Sequence, residues 1–470
     1  MKGKFEKSGS ALSRRQFIGR SAAAAMLAVT GCATEGRRGT RWYRGMLHMH
    51  TLWSDGRALP EQAVFAYKNA GYDFIAISDH NRFQDDPDRW VPVGDGTEKG
   101  WPPKAVHPDC FKAYVERFGR GMVRERDGKA EVRLATYAEL KKKFEEPGGF
   151  IMLPGVEITT DAKATGETYA MHMNVIGIDD VIERARKANL IETMPQHTVS
   201  SVIRETREMS EALARRRGSP PFICMVNHPN WVYYDVFAQD IIDNPEIRYF
   251  EVCNNGSEWS VPEELDGEWY NDNLWDAVLA HRVTHGQQML YAFGCDDTHF
   301  YPGSGLENPY TFGDGYITVR VAELTQKSLF EAIHAGDFYA SSELDLEDVV
   351  FDRATRTLSV SVPATPGVAC RIRFISSKKG APLAPVRHVD IPPSEAHRNR
   401  ARRVPVYDER IGTTVKLVEG RKGERLEASY SLAPDDLYVR ARVESDAPTQ
   451  FKRKRCLHPK HHTAWTQPYF

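Results

Sequence analysis

Between about Trp42 and Ala340, short apolar runs of β character alternate with helical stretches, and the runs repeatedly end in His, Asp or Glu. That alternation restricts the chain to an α/β architecture, because strand–helix–strand units bury their apolar faces around a mostly parallel sheet. The strand-like runs are Gly45–His50, Tyr72–Ser78, Phe150–Ile158, Ala170–Ile178, Pro221–Asn227, Arg248–Cys253, Met289–Gly294 and Gly315–Arg320. Between the first two, Pro60 and Gly71 bracket a helix, since Pro suits the first helical position and Gly the residue after the last turn. Leu324–Gly336 reads as a later helix, with Leu329, Phe330 and Ile333 at helical spacing.

Two insertions interrupt this rhythm. Residues 82–148, rich in Trp, Pro, Gly and charge, are expected to form a cap of loop and helix. Residues 254–273 are acidic and aromatic. Each either walls a pocket or is a surface excursion. After about Ser341 the texture changes to alternating strands, as in Thr357–Val362, Ala369–Ile375 and Tyr438–Val443, which predicts a small antiparallel β-domain over 341–470. Its basic stretches, Arg398–Arg403 and Lys452–Arg455, read as solvated faces.

Charge excludes one class of function. With 62 Lys and Arg against 64 Asp and Glu the chain lacks the basic excess of a nucleic-acid binder, so no such partner is expected. Seven Cys in 470 residues are too sparse for a disulfide scaffold. Cys224, Cys253 and Cys295 fall inside apolar runs and read as small core residues. Cys110, Cys370 and Cys456 stay open, and nothing in the sequence supports a bridge between the last two.

The beginning of the chain reads as an address. Arg14-Arg15, then Phe17 and the weakly apolar run Ser21–Thr30, resembles a twin-arginine export signal, and Leu27–Cys32 resembles a lipobox. Removal of residues 1–31 would leave 470 − 31 = 439 residues with Cys32 as the lipidated N-terminus. The expectation is an exported protein of the periplasm or cell envelope, anchored to the membrane at Cys32. Twin-arginine export carries folded proteins, which suits one that loads metal before crossing.

The chemistry lies at the strand ends. The first carries His48-Met-His50 and then Ser54-Asp-Gly56; the second, Ser78-Asp-His-Asn81; the third, Gly155-Val-Glu157. His172, Asn227-His-Pro229, Glu251 and Asp297-Thr-His299 follow in order. Alternate residues of a strand share a face, so His48 and His50 can chelate one ion together. Strand carboxyl ends in α/β barrels converge on one face, where sites form. Imidazole and carboxylate together suit Zn, Mn or Fe, and so many ligands exceed the needs of a single ion.

This ordered series, over Arg44 to Ala340, resembles the PHP (polymerase and histidinol phosphatase) superfamily of metal-dependent phosphoesterases. The resemblance implies a distorted (β/α)7 barrel over residues 32–340 with two or three divalent ions, Mn, Fe or Zn. By the same resemblance His48, His50, Glu157 and Asp297 hold the first ion, and Glu157 bridges to a second held by His172 and His228. Asp55, His80 and His299 hold a third; the family often has His where Asp55 stands. Asp79 is expected to orient a ligand. Glu251 is a ligand, a supporting carboxylate or a substrate contact, and the sequence does not choose. Gly336–Ser342 and the ending Ala464–Tyr469 resemble segments of exported PHP-type proteins, the ending completing the accessory β-domain.

The implied reaction is hydrolysis of a phosphate mono- or diester by a hydroxide shared between ions, outside the cytoplasm. His299 is the candidate for protonating the leaving group and Arg82 for holding phosphate. The expected substrate is a small phosphorylated molecule or a phosphorylated envelope component. Two alternatives remain: a metal hydrolase of amides or esters, and a non-catalytic metal-containing envelope binding protein.

Overall fold

The computed structural model describes residues 39–97, 103–164, 167–182, 198–218, 221–230, 236–254, 270–306, 312–391, 402–449 and 461–470. The export signal, Cys32, Lys452–Arg455 and Cys456 lie outside the described residues.

Thirteen strands form one large sheet. In chain order they are β1 (Arg41–Met46), β2 (Phe74–Ile77), β3 (Ile151–Ala164), β4 (Glu167–Ile176), β5 (Ile223–Val226), β6 (Tyr249–Asn254) and β7 (Tyr291–Cys295), then β8 (Tyr316–Val321) and β9 (Phe338–Ser342). The remaining four are β10 (Cys370–Ser376), β11 (Thr413–Glu419), β12 (Arg440–Pro448) and β13 (His461–Thr466). Their order across the sheet is β7-β6-β5-β4-β3-β2-β1-β8-β9-β13-β12-β10-β11. β1, β2 and β3 run parallel, as do β5, β6 and β7. β4 runs against both of its neighbours. The fold is therefore mixed α/β around a parallel-rich sheet.

The helices on this sheet start and stop where local chemistry dictates. α1 (Pro60–Asn69) opens on a proline, its Gln62 side chain accepts the Leu59 N–H, and Gly71 follows at φ +85°. α7 (Gln326–Ala335) is capped by Thr325, whose hydroxyl accepts the Ser328 N–H, and ends on left-handed Gly336. Its Leu329, Phe330 and Ile333 are fully buried, each contributing roughly 1.5–3 kcal/mol. Between them lie α2 (Pro108–Phe118), α3 (Tyr137–Phe144), α4 (Val199–Arg216), α5 (Ala238–Ile242) and α6 (Tyr270–Thr284). No helix among the described residues is long and apolar enough to cross a membrane.

The edge strand β7 also packs against β8 and β9, so the sheet curls back on itself. The approach is close: a Cβ on Gly294 would lie 2.7 Å from the Tyr316 carbonyl oxygen and 2.9 Å from that of Ser341. Glycine alone fits there, beside a bulge between Phe293 and Gly294.

Three expectations need correction. The first strand stops at Met46, not His50, because the Met49 N–H is taken by the Ser78 hydroxyl rather than by a ladder carbonyl. His48 and His50 thus sit on the continuation past the strand, with Met49 in a single bridge to Thr298. His172 does not stand at a parallel strand's carboxyl end, since β4 is reversed and pairs His172 with Thr159. The insertion 82–148 is more than loop and helix: Trp90–Pro92, Val123–Arg126 and Lys129–Arg133 form an antiparallel sheet beside α2 and α3. Its core, including Val91, Tyr114 and Val132, packs on Leu52 and Trp53 of the loop after β1. The ending Ala464–Tyr469 does return to the C-terminal strands, since β13 pairs with β12, and on its other side β13 pairs with β9.

Candidate metal centre

The sheet gathers the strand-end residues around one buried carboxylate. Glu157 Oε2 lies 3.2 Å from His48 Nε2, 3.1 Å from His50 Nε2 and 3.1 Å from His80 Nδ1. Its other oxygen, Oε1, lies 3.0 Å from His172 Nδ1 and 3.7 Å from His228 Nε2. Asp297 Oδ1 closes the first side, 3.3 Å from His48 Nε2 and 2.9 Å from His50 Nε2. Ligand atoms about 2.1 Å from one ion and in tetrahedral or octahedral array stand about 3.0–3.4 Å apart. Glu157 Oε2 and Asp297 Oδ1 each stand at about such distances from His48 Nε2 and His50 Nε2, and His48, His50 and Asp297 form a set that could hold one ion.

Hydrogen bonding supports this. His48 Nε2, both ring nitrogens of His50 and Glu157 Oε2 are buried and make no hydrogen bond to any described residue. Buried polar atoms without partners are costly, and a cation held among them could take their lone pairs.

Asp55 anchors a further group. Its Oδ2 lies 3.3 Å from His80 Nε2 and 3.4 Å from His299 Nε2, and its Oδ1 lies 3.4 Å from His50 Nδ1. Three sets among the described residues can hold a metal ion: His50, Asp55, His80 and His299; His48, His50 and Asp297; and His80, Glu157 and His172. His50 and His80 each stand between two of these sets.

The electrostatics follow from burial and charge. Burial works against charge on His48 and His50, yet Asp297, Glu157 and Glu251 beside His48, and Asp55, Asp297 and Glu157 beside His50, outweigh it and hold both rings well above the ordinary histidine range. Burial likewise works against ionised Glu157 and Asp55, but their histidines hold both carboxyls well below the usual range. Burial pushes His172 down to about 4, against the pull of Glu157, so that ring keeps its lone pair at neutral pH. Once divalent ions displaced the protons of His48 and His50, the ionised carboxylates around them would supply the negative charge that such ions neutralise.

Local backbone aims these groups. Asn81, His228 and Asp297 all have positive φ (+50°, +24° and +49°), a conformation that non-glycine residues hold only when the surroundings impose it. The loop carrying Asp55 folds back so tightly that a Cβ on Gly56 would lie 2.4 Å from the His50 carbonyl oxygen. Asp79 shapes this loop, accepting from the Thr51 N–H and hydroxyl, the Ser54 hydroxyl and the Gln84 amide at 2.7–2.9 Å. Burial raises its carboxyl above the usual range, with His50 and these donors opposing.

Glu251 is fully buried, with Oε1 2.7 Å from His48 Nδ1, on the ring side away from Asp297. His299 Nδ1–H donates to the Asp297 carbonyl at 2.9 Å. Arg82 is half-buried just after His80, and its charge acts on Arg89. Arg89 itself donates to the Trp53 carbonyl and lies over the Trp53 ring.

Sequence reasoning passed over several supports. Asn227 donates to Glu157 Oε1 at 2.8 Å and to Asn174 at 3.1 Å, and Asn174 donates to the Leu47 carbonyl. Thr159 hydrogen-bonds His80 through Nδ1, and Asn254 donates to Glu251 Oε2. Asn227 adjoins His228 and Asn174 shares the strand face of His172, so spacing carried a signal for both.

No protein-family model matches the chain, and no curated protein does. Among solved structures it is similar to a two-domain protein from Bacteroides vulgatus, named for a predicted PHP-like metal-dependent phosphoesterase. That likeness has 13% identity and a TM-score of 0.36, covering 95% of this chain and 99% of the other. A protein from Bifidobacterium adolescentis, named by inference as a metal-dependent phosphoesterase, is 13% identical at TM-score 0.32, over 62% of this chain and 95% of its own. A sulfate-bound amidohydrolase from Chromobacterium violaceum is 14% identical at TM-score 0.26, over 56% and 90%.

Proposed function

We propose that the protein is a metal-dependent phosphoesterase of PHP type, built on a distorted (β/α)7 barrel, that works outside the cytoplasm anchored at Cys32. The observation that carries the reading is Glu157, one carboxylate with both oxygens facing imidazoles: His48, His50 and His80 at Oε2, His172 and His228 at Oε1. A carboxylate so placed would bridge two ion positions. His48, His50, Glu157 and Asp297 would hold one ion, Glu157, His172 and His228 a second, and Asp55, His80 and His299 a third. Divalent ions held by these residues would supply an acidified water and charge neutralisation for the phosphoryl oxygens.

The chain's own residues divide the remaining work. The buried histidines and carboxylates form a dry floor, whereas His80, His172 and His299 are partly exposed and face the approach of substrate. His299 commits Nδ1–H to a carbonyl, so in its neutral form it offers Nε2 as a lone pair; we assign it as a ligand rather than as the acid for the leaving group. Arg82, two residues after His80, would supply positive charge for an anionic substrate.

Purified protein loaded with Mn, Fe or Zn is expected to hydrolyse p-nitrophenyl phosphate or bis-p-nitrophenyl phosphate, with activity lost in His48→Ala and Asp297→Ala. Bound metal without turnover of either ester would instead support amide or ester hydrolysis, or binding alone.

A further inference from the structure

Glu251 lies in none of the three ligand sets, yet it touches His48, a member of one of them, and His228, whose ring faces Glu157 Oε1. Oε1 accepts from His48 Nδ1 at 2.7 Å, on the far side of the ring from the Glu157 and Asp297 oxygens that face Nε2. Oε2 accepts the backbone N–H of His228 at 2.8 Å, at the positive φ that turns this residue toward Glu157, and also the Asn254 amide at 2.7 Å. The Asn271 side chain in turn donates toward the backbone carbonyls of Glu251 and Val252, fixing the strand that presents the carboxylate. We propose that Glu251 is a positioning residue that serves two ion positions at once, holding the His48 ring by its side chain and the His228 turn by its backbone.

The chemistry is specific to a carboxylate. A carboxylate on Nδ1 keeps the proton on that nitrogen and leaves Nε2 as a lone pair aimed at the ion. A backbone N–H is an obligatory donor, so Oε2 must accept as well. Glutamine has nearly the same shape but replaces one acceptor by a donor. Turned one way, its NH2 faces His48 Nδ1 and drives the ring proton to Nε2, where it blocks the ion. Turned the other way, it meets the His228 N–H and the Asn254 amide donor to donor. Either orientation damages one of the two positions. Aspartate keeps two acceptors on a shorter arm.

This inference rests on the reading of a multinuclear centre, and manganese titration of the full chain separates the two. Free Mn(II) is followed by its spin-resonance signal, and unfolding of the chelator-treated protein is followed in parallel. Wild-type protein that binds no Mn would sink the multinuclear reading itself. Given binding by wild type, Glu251→Gln is expected to weaken the ions that use His48 and His228 by about 10- to 100-fold. The ion of Asp55, His80 and His299 should keep its wild-type constant. Glu251→Asp should recover part of the loss, and His48→Ala, as a marker, should remove the first ion outright. Wild-type constants for every ion in Glu251→Gln would overturn the proposal. So would an equal weakening of all ions together with early unfolding of the chelator-treated variant, which would mark Glu251 as a general support of the fold.

Discussion

Replacing Arg440 by Ala is expected to destabilise the protein by about 3–5 kcal/mol, the cost of leaving buried partners of an ion pair uncompensated. Arg440 is fully buried on β12 and grips Asp276 of α6 with two nitrogens, Nε at 2.8 Å and a terminal nitrogen at 2.6 Å. That terminal nitrogen also lies 2.8 Å from Asp272, and the guanidinium sits 4.5 Å from the centre of the Trp275 ring. Burial works against its charge, but Asp276 and Asp272 outweigh this and hold it above the ordinary arginine value, so it is charged at any working pH. Tyr438 donates to Asp276 and the Trp465 indole to Asp272, making α6 the point where β12 and β13 lock to the rest of the fold. Arg440→Ala leaves two carboxylates buried with only neutral donors and the more distant Arg442. Because Asn271 at the start of α6 steadies Glu251, the variant should also hold metal less well. Denaturant unfolding at neutral pH checks the first effect; a loss under about 1 kcal/mol, the range of an exposed pair, would contradict it.

The larger effect on chemistry is expected at Glu157. Glu157→Gln keeps the volume but converts one oxygen into an NH2 that faces imidazole nitrogens on whichever side it turns. The bridge between ion positions is lost, with its negative charge. Ester hydrolysis should fall by about a thousandfold or more, ~4 kcal/mol in the barrier. At least one ion per chain should be lost, while the folded structure persists because the first and third strands still pack around β2. Near-wild-type turnover in this variant would remove Glu157 from the centre of the mechanism.

What the sequence revealed and what it hid divide along local against distant pairing. The Pro60–Gly71 and Leu324–Gly336 helices were legible because their caps lie next to their apolar faces. The clustering of His48, His50, His80, Glu157 and Asp297 was legible because each lies at or just past the end of an apolar run. The reversal of β4 was not, since its apolar content is the same in either direction. The sheet within 82–148 was hidden by short, charged strands such as Val123–Arg126. The role of Glu251 was hidden because its partner His48 is 203 residues away, and no spacing rule reaches that far. Arg440 and Asp276, 164 residues apart, were equally invisible: an Arg within an alternating strand reads as solvent-facing until the fold buries it.

A multinuclear metal centre around Glu157 underlies the roles proposed for these residues, and elemental analysis of the purified full chain after metal-replete expression reads it out. It predicts two to three Mn, Fe or Zn ions per chain, with fewer in His48→Ala and Asp297→Ala. A wild-type chain that carries no metal under those conditions would contradict it.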